Sequence, residues 1–191
     1  MNANGLRVWA QSCPPAAVGL ADGSARSNAP MDSATRDVRD EEGTRGLEVV
    51  FRVDVSPDAL LEVLWSPANI GRLFPDIKEA RVIGGEGDSL DIQYRVDAVV
   101  REVGYVLRRS CDREERTITW REIGGDLRRV RGGWRIELLD DGRASLVTYR
   151  AFVSVAMFVP TALIREGAKR KLGEMVARVQ SIAVELGGAG T

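Results

Sequence analysis

Between Leu47 and Ala156 the chain alternates apolar and polar residues in one short segment after another; between Pro160 and Leu186 this gives way to a single long helical period. Side chains along a strand point to opposite faces in turn, whereas on a helix they return to one face every three to four residues. The first segment sets Leu47, Val49, Phe51, Val53 and Val55 against Glu48, Val50, Arg52 and Asp54, which predicts a strand with one buried face. Ser89–Ala98 repeats the pattern with Leu90, Ile92, Tyr94 and Val96, Arg101–Ser110 with Val103, Tyr105 and Leu107, and Arg116–Glu122 with Ile118 and Trp120. Asp126–Leu139 turns Val130, Trp134, Ile136 and Leu138 inward, and Ala144–Ala156 turns Val147, Tyr149, Ala151, Val153 and Val155 inward. Lys78–Gly84 reads as a shorter strand. Asp140-Asp141-Gly142 is a hairpin turn. Gly85-Glu86-Gly87-Asp88 is a turn as well, because it has neither the lysine nor the following helix of a phosphate loop.

The final segment is opened by Pro160. On a helical wheel Ile164, Ala168, Leu172, Met175, Val176, Val179, Ile182 and Ala183 share one arc of about 120°, which predicts a helix with one face on a core. Charged residues interrupt it too often for a membrane span, and the uncharged stretch Ala151–Ile164 is too short and contains Pro160. Near the start, Ser56-Pro57-Asp58 opens a helix running to about Trp65, and Ala68–Phe74 is a second short helix. The expected fold is therefore α+β: a curved antiparallel sheet of about six to seven strands wrapped around a long C-terminal helix, with two short helices after the first strand. The domain spans residues 45–187, followed by a frayed end at 188–191.

Composition limits the chemistry. There is no histidine among the 191 residues, which removes Ser-His-Asp and Cys-His nucleophile systems and every zinc site that needs imidazole. Only Cys13 and Cys111 are present, so neither a disulfide framework nor a four-cysteine metal site can form within one chain. No metal and no cofactor are expected. The formal charge of −1 provides no bulk attraction to nucleic acid or anionic membrane, and the arginines are scattered along the chain as surface charge would be. Residues 1–44 carry no sustained apolar period and are expected to form a disordered tail. Within it, Met31 is an alternative start. Cys13 follows a loose lipoprotein-like box that lacks the preceding apolar run, and no run reaches the length of a signal-peptide core. The expected location is cytoplasmic.

Several stretches resemble one family. The opening Val-Asp-Val-Ser-Pro-Asp-Ala-Leu-Leu-Glu-Val-Leu-Trp (53–65), the Gly-Gly-Trp-Arg-Ile (132–136), the Asp-Gly-Arg-Ala-Ser-Leu-Val-Thr-Tyr hairpin (141–149) and the proline-opened last helix are similar to the START/SRPBCC superfamily. The likeness is to its bacterial polyketide cyclase/dehydrase branch, which includes coenzyme Q-binding START-domain proteins. The resemblance runs from about Gly46 to Leu186 and implies a helix-grip fold with an apolar cavity between sheet and helix. It implies a binding or carrier domain for a hydrophobic small molecule such as a lipid, quinone or polyketide. The alternative is a cofactor-independent aromatase/cyclase acting in the same cavity. A protein partner and the oligomeric state stay open.

Given such a cavity, the inward residues Tyr94, Tyr105, Trp120, Trp134, Tyr149 and Val153 on the strands, with Ile164, Ala168 and Leu172 on the last helix, are its expected lining. Its mouth is expected at Leu73, Phe74 and Arg165, the arginine lying inside the apolar arc in the first turns of the helix. Arg109 and Arg128 share inward parity near strand ends. Asp91, Asp97, Glu102 and Glu137 fall outward, and Glu122 alone shares the face of Ile118 and Trp120, so no carboxylate pair for acid–base chemistry emerges and no catalytic residue is assigned.

Overall fold

The computed structural model describes residues 33–97, 102–154 and 161–187; Cys13, Met31 and Val155 lie outside them. The strands are β1 (Ala34–Arg39), β2 (Arg45–Val53), β3 (Ile77–Glu86), β4 (Ser89–Asp97), β5 (Glu102–Asp112), β6 (Thr117–Gly125), β7 (Arg128–Leu139) and β8 (Ala144–Ser154). They form one antiparallel sheet in the order β1-β2-β8-β7-β6-β5-β4-β3. Helices α1 (Pro57–Trp65) and α2 (Ile70–Leu73), joined by a turn of 3-10 helix at Pro67–Asn69, follow β2, and α3 (Thr161–Gly187) closes the described chain. The second and last strands in the chain meet inside the sheet, β2 beside β8, which is how one layer wraps a single helix.

The periodicities place the core. Val49, Phe51, Val53 and Val55 are buried, as are Val147, Trp134, Ile136 and Ile118 from the neighbouring strands. Facing them, α3 buries Met175, Val176, Val179, Ile182 and Ala183, and α1 contributes Leu60, Leu61 and Leu64. At roughly 1.5–3 kcal/mol per fully buried large aliphatic side chain, this one arc of α3 accounts for much of what holds the helix. Polar ties fix its position: Gln180 Nε2 donates to the Arg52 carbonyl at 2.8 Å, and Arg72 on α2 pairs with Glu185 at 2.7 Å. Ser56 stands at the N-cap of α1 without a side-chain bond, and Pro57 starts the helix with the fixed φ that suits its first position.

The scattered arginines have partners across the strands. Arg108 on β5 forms a two-pronged pair with Asp91 on β4 at 2.7 and 2.8 Å, and Arg95 reaches Glu79 and Glu102 at 3.2 and 2.9 Å.

Three expectations change. The segment expected as tail to residue 44 contains β1, an edge strand paired along its whole length with β2, and this brings the strand count to eight. Its residues Ala34-Thr35-Arg36-Asp37-Val38-Arg39 have no apolar alternation because one edge and one face need no core partner. Glu48, placed outward by parity, is 0% exposed, held between Arg36 of β1 and Arg150 of β8. Leu138, expected inward, is exposed, because β7 runs past the core there toward the Asp140–Gly142 turn.

Candidate functional site

The inward aromatics of six strands, with Phe74, meet in two groups. Trp134 on β7 is the hub of the first: its ring centroid lies 4.5 Å from Tyr149, 6.4 Å from Trp120 and from Phe74, and 6.5 Å from Phe51. Trp120 completes the group at 5.6 Å from Tyr149. Gly132 makes this possible. A Cβ there would sit 2.2 Å from the Arg150 carbonyl oxygen and 2.6 Å from the Trp120 ring, so only glycine lets the indole lie across β7. In the second group Tyr94 and Tyr105, directly opposite on β4 and β5, stack at 5.4 Å. Ile92, Leu107 and Val130 pack there, and Phe74, Leu90 and Trp120 touch both groups.

Tyr105, Trp120, Leu90, Phe74 and Ala151 point inward yet are only half-buried, and Tyr149 keeps 8% of its surface accessible. Burial pushes the Tyr105 and Tyr149 phenols well above their ordinary value, so both are neutral donors throughout the physiological range.

Arg109 is the exception in this apolar surround. It stands on β5 opposite Leu90 and Trp120 and is 5% exposed. Its guanidinium donates to the carbonyls of Leu64 at 2.8 Å and Trp65 at 3.4 Å, at the C-terminal end of α1, and lies 5.2 Å over the Trp65 ring. The negative end of a helix and the face of an indole both favour a cation. The Tyr94 hydroxyl and the Cys111 thiol are its further polar neighbours: burial raises the Tyr94 phenol and Arg109 opposes the rise. Among the described residues no carboxylate pairs with Arg109, and burial lowers its own proton affinity.

A cleft of about 310 Å³ opens where β6 and β7 part, lined by Glu42, Arg121, Glu122, Arg129, Val130 and Arg131.

The model of the family described as polyketide cyclase / dehydrase and lipid transport matches residues 53–180. The chain belongs to that family, within the START/SRPBCC superfamily. The fold of this START/SRPBCC domain is shared with the Zhui aromatase/cyclase from Streptomyces sp. R1128 (TM-score 0.65, 16% identity, 82% of this chain and 99% of that one). It is shared equally with a STAR-related lipid transfer protein from Xanthomonas axonopodis (0.64, 16%, 85% and 99%) and a START superfamily protein from Mycobacterium smegmatis (0.64, 15%, 74% and 98%). No curated protein matches the sequence.

Within this START/SRPBCC domain, Tyr94, Tyr105, Trp120, Trp134 and Tyr149 come together in the interior, and Ala168 and Leu172 on α3 are half-buried. Val153 does not join them. It is 42% exposed, because β2 pairs with β8 only as far as Phe152 and leaves Val153 beyond the covered part of the sheet. Leu73, expected at a mouth, is wholly buried in the core, whereas the neighbouring Phe74 is half-buried against Trp134. The side chains of Ile164, Arg165 and Arg128 lie outside the described residues. Glu122 is half-buried and borders the cleft. Arg109 is the residue that parity identified but could not weigh: an arginine at an inward position, between Leu107 and Cys111, was the available signal.

Among the described residues no helix is long and apolar enough to cross a membrane.

Proposed function

We propose that this START/SRPBCC domain binds a hydrophobic small molecule of the lipid, quinone or polyketide-like class between its sheet and α3, with Arg109 and Tyr94 fixing an oxygen of the ligand. The observation that carries this is Arg109, a buried cation with no carboxylate partner among the described residues, in an aromatic interior. A buried charge with no counter-ion costs several kcal/mol, and hydrophobic residues would fill the same volume more cheaply. Guanidinium has five N–H donors, more than the Leu64 and Trp65 carbonyls use, so it can offer a ligand carbonyl, phenol or carboxylate further bonds. Half-accessible inward aromatics are what a lining of a small-molecule site looks like: apolar walls with a few placed polar groups. The family and the lipid-transfer neighbour support the same reading.

The test is a pair of titrations followed by tryptophan quenching, one with the neutral amine N-phenyl-1-naphthylamine and one with decylubiquinone. Both should bind at one per chain, and Ala168→Trp should abolish both while leaving the melting temperature nearly unchanged. Arg109→Gln should weaken the quinone, which has carbonyl acceptors, and leave the amine within about twofold. If neither probe binds, or if both survive Ala168→Trp, the interior is solid and the reading fails.

The Arg109–Tyr94 pair also favours a second reading, an aromatase/cyclase in which the cation and phenol stabilise an enolate on a polyketide-like substrate. Turnover of a linear poly-β-ketone thioester that is lost in Tyr94→Phe would establish it; binding without turnover would leave the carrier.

A further inference from the structure

The β6–β7 hairpin is not closed. The two strands pair from Thr117↔Arg135 only to Arg121↔Arg131, and beyond that each arm is bonded to its other neighbour. On one side β6 leans on β5. Gly125 has φ of +111° and packs so close to Tyr105 that a Cβ would sit 2.4 Å from its Cα; Asp126 then exchanges bonds with Gly104, N to carbonyl at 2.8 Å and carboxylate from N–H at 2.9 Å. On the other side β7 leans on β8 through Arg128↔Ser154 and Val130↔Val153, with a register shift between them and Arg129 at φ of +57°. A left-handed arginine is a strained residue held by its surroundings. The opening between the arms is therefore built, and it is the cleft of about 310 Å³.

The slot has two kinds of wall. Its inner wall holds Val130, buried with Tyr105, Leu107 and Trp120 in the second aromatic group, so the slot borders the interior through the sheet itself, and the half-buried carboxylate Glu122 stands beside Val130. Its outer rim holds three guanidinium groups, Arg121, Arg129 and Arg131. Arg131 is tied to Asp40 at 2.6 Å, and Arg129 and Arg131 share Glu42 at 3.3 and 3.5 Å. Glu42 comes from the turn after β1, which Asp40 holds in place by accepting from the Thr44 and Glu42 N–H groups at 2.7 and 3.0 Å. Arg121 forms no ion pair among the described residues; the Asp91 carboxylate, which feels its charge, is already gripped by Arg108 at 2.7 Å.

We propose that this slot is a lateral port for the anionic group of an amphipathic ligand, with the carboxylate, sulfonate or phosphate held at Arg121 and Arg129 and the apolar body passing Val130 into the aromatic interior. The inference rests on the interior being a binding site and adds the ligand's charge and the place of its head group. Planar guanidinium forks suit such anions. Glu42 is the resident competitor for the same arginines, so an incoming anion displaces a solvent-exposed carboxylate and leaves the inner Asp40–Arg131 pair intact.

The experiment titrates the full chain with the anionic probe 1-anilinonaphthalene-8-sulfonate and, in parallel, with neutral N-phenyl-1-naphthylamine. Arg121→Gln should weaken the sulfonate on the order of fivefold, and Arg121→Gln with Arg129→Gln on the order of tenfold or more. Glu42→Gln should tighten it, and the neutral probe should stay within twofold in all three. Arg131 is left alone because its loss would strand Asp40. Should the sulfonate affinity be unmoved in both arginine variants while the neutral probe still binds, the port is refuted and the interior site stands. Should neither probe bind the parent, both readings fall together. Weakening of both probes alike, with lowered melting temperatures, would also overturn the port, since the arginines would then be holding the sheet and not an anion.

Discussion

Replacing Gly132 by alanine should cost far more than one methyl group ordinarily does. The added Cβ would lie 2.2 Å from the Arg150 carbonyl oxygen on β8 and 2.6 and 2.9 Å from two atoms of the Trp120 ring. The carbonyl belongs to the β7–β8 ladder and cannot retreat without parting Gly132 from Ala151, so the indole must move. Overfilling a packed core costs about 1–3 kcal/mol. Moving Trp120 also weakens its contacts with Tyr149 at 5.6 Å and Trp134 at 6.4 Å, and an aromatic pair is worth about 0.5–1.5 kcal/mol beyond its buried area. The sum is about 2–4 kcal/mol, or roughly 5–15 °C for a domain of this size. Thermal unfolding followed by far-ultraviolet circular dichroism reads the shift, and Gly173→Ala in α3 is the control. No atom lies within 4 Å of its added Cβ, so helix propensity should raise stability by about 0.5–1 kcal/mol. Trp120→Leu added to Gly132→Ala should recover part of the loss, since the two sites share one contact. A Gly132→Ala protein melting within about 1 °C of the parent would show that the indole does not lie across β7, and the aromatic interior would have to be redrawn.

Val179→Asp buries an unpaired charge on the gripped face of α3 and should cost several kcal/mol of the roughly 5–15 available, so loss of cooperative melting is expected and an unchanged melting temperature would refute the grip. A chain begun at Thr44 removes β1 and one partner of buried Glu48; it should melt lower than a chain begun at Asp32, and equal melting would mean that β1 adds nothing. Stability should fall at alkaline pH. Burial raises the Tyr94, Tyr105 and Tyr149 phenols and pushes the Cys111 thiol from 9.0 up to about 11, so the unfolded chain loses these protons first. Stability is then complete below about pH 9 and is lost as pH rises through the folded values. Phenolate absorbance near 295 nm should appear only together with unfolding, and titration of all three phenols at pH 10 in the native state would contradict their burial.

Most of the sheet could be read from its alternation. The inward faces of β4 to β8 are the apolar ones, and the arc from Met175 to Ala183 is the face that α3 buries. Alternation says which face a residue takes; how deep it lies depends on where the covering element ends. Leu138 and Val153 have the right parity at strand ends beyond cover, while Glu48 has the outward parity and lies under two arginines. β1 escaped because an edge strand bonded through backbone and ion pairs needs no apolar face. Arg109 was legible as inward but not as buried, because its partners are main-chain carbonyls of α1, more than forty residues away and silent in any local pattern. The sequence segments Arg116–Glu122 and Asp126–Leu139 did not report the flare between β6 and β7; its signals are Gly124-Gly125 and the left-handed Arg129, whose conformation no side-chain pattern reports.

An apolar molecule held between the sheet and α3 should be visible to native mass spectrometry of the protein from its own host, before and after extraction with organic solvent. A discrete added mass at one per chain is expected, one that extraction removes, that carries an oxygen acceptor for Arg109, and that is lost in Ala168→Trp. A bare chain mass from freshly isolated, cooperatively folding protein that also fails to take up decylubiquinone would contradict it.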